Sequence, residues 1–133
     1  MKKEDDVSRN LDVLSMYKEQ ILELYRHPNN FGKLKNYTNE HHEFNPVCGD
    51  EINIQLLIGD NKVNDIMFNG KGCAISIASA SLITEHIKGK SINEIKKLNF
   101  HDVKKLLGVD IIYTRVKCAT LALEAVKKAL EKK

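Results

Sequence analysis

What the chain has little of narrows its function first. No apolar run in its 133 residues approaches the roughly 20 needed to cross a bilayer, so no membrane span is expected. The opening residues MKKEDDVSRN lack the apolar core of a secretory signal, and their acidic side chains are unlike an organelle transit peptide. The expected location is cytoplasmic. Aromatics amount to 6% and do not interleave with the lysines, which argues against a stacking platform for single-stranded nucleic acid. The net charge is a modest +3. Its densest basic cluster, Lys127, Lys128, Lys132 and Lys133, falls where a helix dipole favours cations and reads as a helix end rather than a nucleic-acid surface. No internal repeat, low-complexity tract or linker divides the chain, so residues 1–133 read as one domain, with 1–12 polar and flexible. At this length a domain buries roughly two-thirds of its unfolded surface and needs no disulfides to fold.

Cysteine is scarce too. An odd count of three in a reducing compartment does not build a disulfide framework. There is no C-x-x-C pair, and the separations of 25 and 45 residues match no zinc finger, so any shared site must be closed by the fold. Each cysteine is then either a small apolar core residue or a ligand or nucleophile, and its surroundings decide.

Those surroundings follow from the predicted elements. Leu14, Tyr17, Ile21, Leu24 and Tyr25 have the three-and-four spacing of an amphipathic helix that ends at His27-Pro28. Residues 28–42 are rich in turn formers and read as a loop. Ile52, Ile54, Leu56 and Ile58 alternate with Asn53, Gln55 and Leu57 as in a half-buried strand, and Gly59-Asp60-Asn61 turns the chain into a returning strand over Val63 to Phe68. The stretch before Pro46 is a candidate third strand. Ala74 to Lys88 reads as a helix stopped by Gly89, and Ser91 with Glu94 forms a capping box for a short helix through Leu98. Another short helix runs from His101 to Leu107 and stops at Gly108. A last one covers Cys118 to about Lys132. The expected class is α+β, a small three-stranded antiparallel sheet packed against about five helices.

All three cysteines fall at ends of elements. Cys48 lies in Asn45-Pro46-Val47-Cys48-Gly49-Asp50, where Gly49 permits a left-handed bend that lets Cys48 and Asp50 converge on one ion. Cys73 follows Gly70-Lys71-Gly72 and opens a helix, whose free amides and dipole favour thiolate. Cys118 starts the last helix directly after Lys117 and close to Arg115, a second cationic setting expected to favour thiolate. A core cysteine gains nothing from a glycine, a helix start or a cation beside it, and all three have such company. No histidine lies beside a cysteine. His27, His41, His42 and His86 read as surface or capping residues, and His101 as a residue near a helix start.

The same residues carry a resemblance. Tyr25-Arg26-His27-Pro28-Asn29-Asn30, Asn45 to Asp50, Gly70 to Ser76 continuing through Ser81, Lys88-Gly89-Lys90 and Arg115 to Leu121 stand in order over roughly residues 16–130. In these five motifs the chain resembles the U-type scaffold family of iron–sulfur cluster assembly (IscU, SufU and the N-terminal domain of NifU). The resemblance implies a SufE/NifU-like α+β fold and a site of Cys48, Asp50, Cys73 and Cys118, supported by Gly49, Gly72, Arg115 and Lys117. It also implies persulfide sulfur received from a cysteine desulfurase (IscS, SufS or NifS type), with Cys118 or Cys48 as acceptor. A transient [2Fe–2S] cluster or iron would be held for recipient apo iron–sulfur proteins, with zinc able to fill the same ligands. Marks of two branches are mixed. Gly-Cys-Ala-Ile-Ser and Arg-Val-Lys-Cys resemble the Suf type. The Isc type has a histidine where Lys117 stands and a proline-rich chaperone segment, whereas Asp110 to Val116 contains no proline. Yet the interval between Cys73 and Cys118 has Isc-type length and lacks the extra Suf-type segment. The main reading is therefore a cluster scaffold, and the alternative a zinc-dependent SufU-type sulfurtransferase.

Overall fold

A computed structural model describes residues 19–132. The expected flexible stretch 1–12 and the beginning of the first helix lie outside the described residues. Helix α1 is seen over 19–26 and ends before Pro28, as the restriction on a pre-proline residue requires.

Three antiparallel strands follow, β1 (Asn39–Asn45), β2 (Asp50–Gly59) and β3 (Lys62–Lys71), with β2 in the centre. Ile52, Ile54 and Leu56 on β2 and Val63, Ile66 and Phe68 on β3 are wholly buried and turn one face of the sheet to the helices. Asp60 and Asn61 close the β2–β3 hairpin with φ of 53° and 62°, the paired left-handed conformation whose twist suits a two-residue turn. A bulge shifts the register between Leu57 and Ile58, so that on β3 the buried Val63 and Ile66 stand three residues apart rather than two.

The loop after α1 does more than connect. The backbone of Asn30 and Gly32 exchanges hydrogen bonds with Phe68 at 2.9 and 2.8 Å, a parallel bridge on the free edge of β3. Phe31 meets Phe68 edge-on at 5.3 Å. Asn30 adopts φ 59°, and its side chain is held by Thr84, Glu85 and Lys88 of the helix region behind.

Helix α2 (Ala74–Ile87) is central, with its small residues almost all buried. It packs on α5 (Val116–Glu131), whose Ala119, Ala122, Ala125 and Ala129 are fully buried. Alanines on one helix and serines on the other permit close approach, the condition for packing a small core densely. Between them lie α3 (Ile92–Lys96) and α4 (Phe100–Leu107). Both open with reciprocal capping boxes, Ser91 with Glu94 and Asn99 with Asp102, and α4 stops at Gly108 in the left-handed conformation. A 3-10 turn, Tyr113–Arg115, leads into α5 two residues ahead of the expected start at Cys118. Three strands and five helices among the described residues give the expected α+β architecture.

Candidate metal centre

The β1–β2 turn is built by its own side chains. Asn45 Oδ1 accepts from the Val47 amide at 3.1 Å, the Asn45 carbonyl accepts from the Gly49 amide at 2.8 Å, and Gly49 takes φ 75°. This bend lifts Cys48 to an exposed tip and returns Asp50 into the sheet, where it is 4% exposed. Opposite stands the first turn of α5, with Cys118 only 2% exposed. The two sulfurs are 3.5 Å apart. Donor atoms of Cys48, Asp50 and Cys118 all lie within 4.8 Å of one another. In a tetrahedral zinc site with bonds of about 2.3 Å, sulfurs sit about 3.8 Å apart, so the spacing and the thiol-rich donor set suit zinc or iron.

Cys73 holds the N-cap position of α2 without a side-chain cap bond, and its sulfur is not among the three clustered donors. It is tied to them through Asp50. The Cys73 amide donates to Asp50 Oδ1 at 3.1 Å, the Ser76 hydroxyl donates to Oδ2, and the Cys73 sulfur is 3.4 Å from Ser76 Oγ. Gly72 makes this approach possible, because a Cβ there would come within 3.0 Å of the Asp50 carboxyl. Ser76 escaped the sequence reading although it stands three residues after a helix-capping cysteine, the spacing at which a first-turn side chain meets its cap.

The electrostatics correct one expectation. Cys118 is not in a thiolate-favouring setting: its thiol is pushed up to about 12, by burial first and then by the neighbouring Cys48, Cys73 and Asp50. The Arg115 guanidinium is held further above its ordinary range, chiefly by contact with the Cys118 sulfur, yet it is exposed and does not offset that burial. Lys117 is exposed as well and lines a surface groove with Glu43, Phe44, Pro46 and Leu121. Burial would also raise Asp50. The Ser76 hydroxyl, the Cys48 and Cys118 thiols and the Cys73 amide outweigh it and hold the carboxyl below its usual range.

None of the five histidines joins the donor cluster. His41 is less exposed than a surface residue, bonding Glu43 at 2.8 Å, while Glu43 also takes Lys128 at 2.8 Å and so fastens β1 to α5. No helix among the described residues is long and apolar enough to cross a membrane.

Fold and site together define a class, a small α+β domain that gathers thiols and a carboxylate at one end of its sheet. Residues 16–132 match the family described as the NifU-like N terminal domain, and the chain belongs to that family. Among its relatives is an iron–sulfur cluster assembly scaffold protein IscU of Archaeoglobus fulgidus, 35% identical over 86% of this chain and 74% of its own. The zinc-dependent sulfurtransferase SufU of Bacillus subtilis is 32% identical over 95% of this chain and 97% of its own. A crystal structure from Fervidobacterium islandicum, described as a candidate cluster assembly scaffold of the SUF system, superposes with a TM-score of 0.74 at 28% identity, covering 85% of this chain and 95% of that one.

Proposed function

We propose that the chain is an iron–sulfur cluster assembly scaffold, taking sulfur from a cysteine desulfurase and building a transient [2Fe–2S] cluster for recipient apoproteins. Cys48, Asp50, Cys73 and Cys118 are its donors. The observation that carries this reading is the meeting of one exposed thiol, one buried thiol and a buried carboxylate within 4.8 Å. Such a site is open enough to load and mixed enough to release, because a carboxylate is a harder and weaker ligand for a cluster than thiolate.

Sulfur enters at Cys48 or Cys118, and exposure favours Cys48. Its thiolate attacks the terminal sulfur of the donor enzyme's cysteine persulfide. A new S–S bond forms at Cys48, the donor's S–S bond breaks, and the donor cysteine leaves as thiolate. Reducing the carried sulfur to sulfide takes electrons partly from ferrous iron becoming ferric and partly from a thiol or electron-carrier reductant. The basic side chains of Arg115 and Lys117 beside the site supply a surface for meeting the donor.

A second reading, a zinc-dependent sulfurtransferase partner of the desulfurase, is favoured by Lys117, which stands where a histidine ligand would be. Against it, the SufU alignment runs over 143 positions, more than the 133 residues here, so that relative carries residues this chain lacks. One anaerobic experiment separates the two. Metal-free protein is given ferrous iron, cysteine, a reductant and a desulfurase. Visible charge-transfer bands with stoichiometric iron and sulfide support the scaffold. Tight zinc binding, faster desulfurase turnover and no cluster would sink it in favour of the transferase.

A further inference from the structure

The first turn of α2 contains a buried hydroxyl that neither the motifs nor the names of the relatives assign a role. Ser76 is wholly shielded from solvent, where an unpartnered hydroxyl is costly. One turn on, the equally shielded Ser79 hydroxyl has no partner and only packs, so polar atoms on this helix are not satisfied as a matter of course. Ser76 has two partners, Asp50 Oδ2 and the Cys73 sulfur at 3.4 Å. An ionised carboxylate has no proton to give, so the single hydroxyl proton goes to Asp50 and the Cys73 thiol donates to Ser76. With Oδ1 held by the Cys73 amide, both carboxylate oxygens are fixed by the helix that carries Cys73.

From this geometry we infer that Ser76 is a positioning residue of the donor site: its hydroxyl presets the Asp50 carboxylate toward Cys48 and Cys118 and joins Cys73 to the other three donors. The inference rests on the donor set proposed above. Ligating carboxylates are oriented by such outer hydrogen bonds, and removing one typically costs 10–100-fold in metal affinity. The Ser76 hydroxyl is taken up by Asp50 and Cys73, so its effect passes through Asp50.

The test uses Co2+ as a spectroscopic probe on the anaerobic, metal-free full chain, with affinity read by competition against a chromophoric chelator. Wild type, S76A, D50A and D50A/S76A are compared, each first shown to melt cooperatively. S76A is expected to weaken cobalt binding about tenfold, and to cost nothing further once Asp50 is gone. A merely structural role would give the same loss in both backgrounds, and that result overturns the inference. So does wild-type affinity in S76A while D50A is weakened. Unchanged affinity in D50A instead removes Asp50 from the donor set and overturns the underlying reading as well. If S76A fails to melt cooperatively, S76T, which keeps the hydroxyl, must bind like wild type; a tenfold loss there overturns the role of the hydroxyl.

Discussion

Cys118 has cations beside it in the chain, and the exposed Arg115 reaches its sulfur, yet burial at 2% exposure, with the neighbouring thiols and carboxylate, wins over them. The sign of its pH dependence follows. A thiol raised in the fold from 9.0 to about 12 is protonated in both states below pH 9, and above it only the unfolded chain ionises. Stability of the metal-free protein should therefore fall between about pH 9 and 12, with a slope approaching about 1.4 kcal/mol per pH unit from this group. Urea midpoints followed from pH 8 upward check it: Cys118→Ala should flatten that limb, and equal slopes in both proteins would refute the shift. Asp50, held low, has the opposite sign, so its contribution is present at neutral pH and lost as pH falls through the carboxylate range. The same contrast predicts the order of alkylation at pH 8, Cys48 first and Cys118 last, checked by peptide mass mapping. Equal rates would mean that Cys118 is not shielded. The placing of the three cysteines at element ends was legible in the sequence, because glycines, a proline and helix starts mark those ends locally. The ionisation of Cys118 was not, because it depends on which side of α5 faces the sheet. Ser76 stayed hidden for the same reason, its partner Asp50 being 26 residues away.

At the scale of elements, the stops and starts that rest on local chemistry were largely legible: α4 ends at Leu107 before Gly108 as expected, the capping box of α3 is the expected one, and α3 itself stops at Lys96, two residues short of the expected Leu98. What escaped were features made by distant partners. β1 was a candidate strand before Pro46, but its first four residues, Asn39 to His42, fell in the expected loop, because the strand is polar and mostly half-exposed and only its ladder on β2 defines its bounds. The edge bridge at Phe31 is likewise invisible without β3. α2 shows the most instructive case. No side chain of its own caps it, and Asp50, reaching across from β2, takes the bonds at its entry. Asp50→Ala should thus destabilise the metal-free protein by about 2 kcal/mol, the usual worth of hydrogen bonds to a charged group. Asn99→Ala, which removes an ordinary local cap from α4, should cost about 1 kcal/mol. Chemical denaturation ranks the pair, and a smaller loss at Asp50 than at Asn99 would show that α2 does not depend on the strand.

For the whole molecule, the four proposed donors matter as ties. Cys48 belongs to the β1–β2 turn, Asp50 to the start of β2, Cys73 to the entry of α2 and Cys118 to the first turn of α5. On the proposed reading, one ion bound by them would fasten the end of the sheet to both long helices, at chain positions that loop closure alone keeps together only at an entropic cost. Binding free energy at such a site adds to folding free energy. Zinc at a hundred times its dissociation constant should stabilise the fold by about 2.7 kcal/mol, provided that it does not bind the unfolded chain. The core of Ile54, Leu56, Phe68, Ile83 and Val126 is complete without the ion, so chelation should lower the melting temperature and leave the helical signal in place. Collapse to an unfolded chain on chelation would instead make zinc a structural requirement and favour a permanently held ion over a transient load. Melting wild type and Cys118→Ser with zinc and with chelator makes the distinction. The zinc-dependent increment should shrink sharply in the variant, because the loss of Cys118 frees α5 from the tie while the sheet end keeps Cys48 and Asp50.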